Sequence, residues 1–121
     1  MSAETDFRAL LVGHPGLAAL VGTRVAEAAV PEGAAMPYVA FVSRHELTHN
    51  LTGEVMADQV QFTVQCWAES AASAAAVAAQ VLLAVGAADH ARGAVVLSTE
   101  TAYDPELRLD AAILNVEWWA V

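Results

Sequence analysis

The stretch that decides the fold is Asp58–Val85, DQVQFTVQCWAESAASAAAVAAQVLLAV. From Val60 its apolar residues alternate: Val60, Phe62, Val64 and Cys66 fall on one side, and Gln59, Gln61, Thr63, Gln65 and Trp67 on the other. A period of two marks a half-buried strand, because successive side chains point to opposite faces of the pleat. The alternation breaks at Glu69-Ser70, and Ser70 suits an N-cap, its hydroxyl accepting from an amide of the first turn. Beyond it Ala74, Val77, Ala78, Val81, Leu82 and Val85 recur at helical spacing, with Gly86 as the expected stop. Strand and helix each offer one apolar face, and packing them together buries both.

Working outward, Ser2–Gly13 reads as a first helix. Phe7, Leu10 and Leu11 form its stripe, and Glu4 and Asp6 lie near the positive end of its dipole. Pro15 opens a short second helix with Leu17, Leu20 and Val21 inward and Gly22 as terminator. Arg24–Val30 is short and β-like, Pro31-Glu32-Gly33 is a turn, and Pro37 leads into a strand over Tyr38–Ser43. The polar run Arg44–Asp58 is a long loop or an extended hairpin. After the helix, Ala88–Gly93 is a connection. Ala94–Tyr103 and Leu107–Trp119 are strands joined at Asp104-Pro105-Glu106, an antiparallel hairpin. This order predicts an α+β fold in one domain over residues 1–121: a mostly antiparallel sheet with the N-terminal helices and one long helix on one face.

Composition narrows the function. The chain of 121 residues has 57% hydrophobic residues and a formal charge of -9; its five basic residues are all arginine. Nucleic-acid binding requires a basic face that displaces counterions from phosphate, and anionic membranes make a similar demand, so both are disfavoured. Ala71–Ala88 is uncharged, but alanine is weakly apolar and basic flanks are missing, so a membrane span is not expected. The N-terminus lacks the basic region of a signal peptide. Cys66, alone of its kind and on the apolar face, reads as a small buried hydrophobe.

The sharpest chemical motif is His45-Glu46-Leu47-Thr48-His49, an H-E-x-x-H spelling. On a helix it would set two imidazoles one turn apart on zinc, with Glu46 as general base and Glu69 as a third ligand. The context opposes this small metallopeptidase reading. The motif continues from a strand, no apolar stripe would bury a helix there, and Thr52 and Val55 stand where the longer zinc-protease pattern needs glycine and histidine. Nor do Gly13, Gly16 and Gly22 make a phosphate loop, since no lysine accompanies them. No catalytic, metal or cofactor residues are assigned.

Four segments, in this order, resemble one family. They are His14-Pro15-Gly16-Leu17-Ala18-Ala19-Leu20-Val21-Gly22-Thr23-Arg24-Val25; Pro31-Glu32-Gly33 followed by Pro37-Tyr38-Val39; Gln61–Trp67 running into the alanine-rich helix; and Tyr103-Asp104-Pro105-Glu106 before a strand ending Glu117-Trp118-Trp119. Together they are similar to the tail-completion, or tail-terminator, proteins of long-tailed (siphovirus-like) bacteriophages and gene transfer agents. The main departure from that likeness is Arg44–Asp58. The resemblance implies a structural protein rather than an enzyme. It implies a subunit of a hexameric ring at the head-proximal end of the tail tube. That ring ends tube polymerisation and meets the head-side connector, with DNA passing through its lumen. The expected partners are then further copies of itself, the major tail tube protein and the connector or stopper protein, in a particle assembled in the bacterial cytoplasm. The charge is compatible, since an acidic annulus lets DNA slide without binding it.

A closed ring needs two different surfaces on each subunit. The candidates are the polar run Arg44–Asp58 and the outward face of the central strand with Trp67. Arg24, Arg44 and Arg108 are candidate cross-subunit partners for carboxylates. Of Trp118 and Trp119 one points inward and one outward; Trp118 joins Trp67 as a candidate interface anchor. A small homo-oligomeric binding domain unrelated to phage is the remaining alternative.

Overall fold

A computed structural model describes residues 3–28, 33–49, 51–53, 55–92 and 95–119. Three helices, α1 (Ala3–Val12), α2 (Pro15–Val21) and α3 (Ala71–Arg92), accompany five strands: β1 (Val25–Glu27), β2 (Tyr38–His49), β3 (Val55–Ala68), β4 (Val95–Asp104) and β5 (Leu109–Trp119). The strands form one sheet in the order β1-β2-β3-β5-β4. The short β1 runs parallel to β2, and every other pair is antiparallel. The fold is therefore α+β with a mostly antiparallel sheet, as the alternation and helical spacing imply.

β3 is the central strand, and its alternation is obeyed. Val60, Phe62, Val64 and Cys66 are fully buried, whereas Gln59, Gln61, Thr63, Gln65 and Trp67 are half-buried. The same inward face continues through Val39 and Phe41 of β2 and Leu114, Val116 and Trp118 of β5. Buried residues of all three helices join this cluster: Phe7 and Leu11 from α1, Leu17 and Val21 from α2, Val77, Val81 and Val85 from α3. Phe7 is its hub. Its ring stacks on Phe62 at 4.0 Å and meets Phe41 and Trp118 edge-on at 5.3 and 5.5 Å. Edge-on pairs of this kind contribute about 0.5–1.5 kcal/mol beyond the area they bury.

Local signals explain most boundaries. The Ser70 hydroxyl accepts from the Ser73 amide at 3.1 Å and caps α3. Gly22, with φ of 59°, ends α2 in a region that other residues avoid. Asp104 closes the β4–β5 turn, its Oδ1 accepting from the amides of Glu106 and Leu107 at 2.9 and 3.2 Å.

Several expectations need correction. Gly86 does not stop α3, which runs on to Arg92 and takes in most of the expected connection. A glycine terminates a helix by turning to positive φ, and Gly86 is not among the positive-φ residues. The buried Val81, Ala84 and Val85 just before it hold the helix to the sheet, outweighing a propensity cost of about 1 kcal/mol. Leu20 and Leu82 are exposed rather than inward, because the buried stripes follow Leu17–Val21 and Val77–Val81–Ala84. The last strand begins at Leu109, since Arg108 still belongs to the turn with φ of 54°. Finally, the strand expected to end at Ser43 runs on to His49, and of the two readings of Arg44–Asp58 the extended hairpin holds: β2 and β3 pair without interruption from Tyr38↔Trp67 to Thr48↔Ala57.

Candidate assembly surfaces

The H-E-x-x-H residues lie on a strand, which removes their zinc geometry. Four residues of strand set His45 and His49 about 13 Å apart along β2, against one helical turn in a zinc site. Glu69 follows Trp67, which pairs with Tyr38 at the opposite end of β2 from His45. Among the described residues no three His, Cys, Asp or Glu side chains gather closely enough to hold a metal. His45 instead meets α1: its Nε2 lies 2.5 Å from Glu4 Oε1, which also accepts from Ser43 Oγ at 2.8 Å. The hydrogen bond from His45 holds the Glu4 carboxyl below its ordinary pKa. The motif's first histidine thus anchors the N-terminal helix to the sheet.

The arginines divide into braces and open charges. Arg24 donates through Nε to the Pro37 carbonyl at 2.9 Å and through Nη2 to Leu20 at 3.2 Å, tying the end of α2 to the start of β2. These two bonds make it a brace within its own chain and leave the remaining guanidinium donors uncommitted. Arg8, which periodicity does not single out, acts similarly: Nε donates to the Val25 carbonyl at 3.0 Å, fastening α1 to β1. An arginine within a helix reads as a solvated charge, and only the fold brings β1 beneath it. Arg44 and Arg108 are exposed, on β2 and on the β4–β5 turn.

The tryptophans also separate. Trp118, 2% exposed, packs against Phe7 and Phe62 in the core, which corrects its place as an interface anchor; the outward member of the pair is Trp119, 39% exposed. Trp67 is on the outward face, half-buried, with Nε1 donating to Gln65 Oε1 at 3.2 Å. It lines a shallow depression with Tyr103, Pro105 and Glu106 beside the β4–β5 turn. Cys66 is enclosed, and burial pushes its thiol up to about 12, so it is inert as a nucleophile at neutral pH.

Two broad surfaces remain. One is the outward face of the sheet, whose residues are absent from the core cluster that all three helices join. Across its middle run hydrogen bonds from Thr63 Oγ1 to Asn115 Oδ1 at 3.0 Å and from Asn115 Nδ2 to Ser98 Oγ at 2.9 Å. The other is β4, exposed along almost its whole length, with a groove between it and α3 lined by Ala75, Ala78, Leu82, Thr99 and Thr101. Among the described residues neither surface carries a constellation of nucleophile, base and oxyanion donors.

The described residues thus form an α+β fold whose helices cover one face of the sheet and leave the other open. The profile of the family described as "Tail completion protein gp17" matches residues 5–120, and the chain belongs to that family. It is accordingly a structural protein of the phage tail-completion class and not an enzyme. No curated protein sequence matches it. Among solved structures it is similar to a chain of "Virion of native gene transfer agent (GTA) particle". The identity is 22%, with 93% of this chain and 90% of that one covered, and the TM-score is 0.72. At that identity the likeness speaks for the fold.

Proposed function

We propose that copies of this protein close into a ring, six in number, on the head-proximal end of a tail tube. There they end tube polymerisation, present a face to the head-side connector and leave a lumen for DNA. The observation that carries this reading is family membership over residues 5–120, which leaves almost none of the chain for a different activity. The charge of -9 and the absence of lysine support it, because an acidic wall passes DNA without retaining it. Arg44, Trp67 and Arg108 are the proposed contact residues, each half-buried or exposed and placed on an uncovered surface; Arg24 and Trp118 would act only by holding those surfaces in shape.

Particles made without this gene test the reading. Tails of uncontrolled length, detached from heads, are expected, and supplying the gene in trans should restore joined particles of uniform tail length. Tails of normal length already attached to heads would overturn it.

A further inference from the structure

The sheet ends in two strand edges that differ in their cover. β1 pairs only with Val39–Phe41, so among the described residues no strand flanks β2 from Val42 to His49. At the other end β4 is the last strand, and among the described residues nothing in the sheet flanks its ten residues. Both edges carry apolar side chains in water: Val42 and Leu47 on one, Val95, Leu97 and Tyr103 on the other. Long exposed edges of this kind template pairing with another chain, and proteins that keep them usually cover them.

We propose that the occupant of each edge is the other edge on a second copy: β4 of one subunit pairs with β2 of the next, through Val42–His49. The inference rests on the ring reading and names the contact that closes the ring. Three features of the fold agree with it.

The first is direction. β2 opposes β3, β3 opposes β5 and β5 opposes β4, so β4 runs opposite to β2. A neighbour related by rotation about an axis along the strands keeps its strand directions, and therefore brings β2 up antiparallel to β4. The second is the parity of the faces. Arg44 lies opposite Gln61. Glu100 lies opposite Ile113, which lies opposite Gln65. Since Gln61 and Gln65 are both on the outward face, so are Arg44 and Glu100. In a sheet that continues from one subunit into the next they share a face and can meet as a cross-strand pair. The third is charge. Arg44 and Glu100 are both exposed, and among the described residues neither is ion-paired within its own subunit. The contact is heterologous, each subunit giving one edge and receiving the other, which is the kind of interface that generates rings.

Cysteines at the two positions provide the test, in particles purified from cells that make Arg44→Cys/Glu100→Cys subunits. Within one subunit β2 and β4 are three strand spacings apart, about 14 Å, too far for a disulfide. Cys66 is buried and stays out of exchange. Oxidation should then yield a covalent ladder rising to the full ring. In parallel, Arg44→Glu or Glu100→Arg alone should raise the concentration needed for half-assembly by about tenfold, and the two together should restore it. Both positions are exposed, so circular dichroism should be unchanged in every variant. Complete rings without a ladder, or a ladder that stops at a dimer, would overturn the edge pairing while leaving the ring intact. Particles in which neither the wild type nor any variant forms an oligomer would overturn the ring reading as well.

Discussion

On the covered side of β3, Val60, Phe62, Val64 and Cys66 are enclosed by three helices. One residue along in each case, Gln61, Thr63, Gln65 and Trp67 lie half-buried on the face those helices leave open. Both sets belong to the same strand, between the same two neighbours β2 and β5, so the chief difference is what covers them. The covered side is filled by the chain itself, with aromatic rings at 4.0 to 6.1 Å. The open side has small alanines, a Thr63–Asn115–Ser98 chain of hydrogen bonds and isolated large residues at its margins. Folding sets the first composition. The second is far less constrained by folding and is available for contact between subunits.

Mutation of neighbouring residues should expose the contrast. Phe62→Ala removes a ring from the centre of the core and is expected to cost about 3–5 kcal/mol, whereas Thr63→Ala should cost about 1 kcal/mol or less. Urea unfolding of the two variants measures both, and similar losses would mean that the faces are not energetically distinct. A smaller effect comes from Cys66. Its folded pKa, pushed up to about 12, lies above the ordinary 9.0. Its contribution is therefore complete below about pH 9 and is lost as pH rises, because the unfolded thiol ionises first. Wild-type stability should fall relative to Cys66→Ala by up to about 1.4 kcal/mol per pH unit between those values. Parallel denaturation curves at pH 8 and pH 10.5 would show it, and equal slopes for the two proteins would place the thiol in water.

The same contrast runs around α3. Gly86 is exposed and an added Cβ would meet nothing within 4 Å, so Gly86→Ala should raise stability by about 0.5–1 kcal/mol. A loss in thermal unfolding would mean that the helix is broken there. The smallest effect belongs to the margin between the faces, at the Glu4 contact with Ser43 and His45. The folded pKa of Glu4 is depressed, so its stabilisation is present above the ordinary 4.5 and disappears as pH falls through the lower folded value. Glu4→Gln should cost about 0.5–1 kcal/mol at pH 7 and nothing once the wild-type carboxyl is protonated. A cost unchanged at low pH would remove the charge from the account.

The covered face was legible because it is written in two simple periods. Val60 to Cys66 and Val77 to Val81 obey the spacing of strand and helix, and Ser70 marks the junction. The errors have physical causes. Gly86 marks a stop by propensity alone, worth about 1 kcal/mol, and the buried Val81 and Val85 beside it outweigh that. Arg44–Asp58 is consistent with either a loop or a hairpin in the sequence, because its polar residues show no apolar period that would choose between them. Trp118 and Trp119 could be told to face apart, but which one turned inward depended on the register with Val60, set across the sheet. The brace made by Arg24 was equally hidden, since its acceptors are backbone carbonyls, which leave no trace in side-chain pattern.

Among the described residues β5 accompanies β3 as far as Gln59, opposite Trp119, while β3 and β2 continue together to Val55 and His49. The sheet therefore narrows to a ribbon of two strands, a width that is marginal on its own in water. Opening of that ribbon need not involve the rest of the molecule, so amide exchange should divide into two regimes. Leu47 and Ala57 would exchange through brief local opening, and Phe62 and Leu114 only when the whole subunit unfolds. Docking of the ribbon against anything else would be read out as a slowing of the first regime alone.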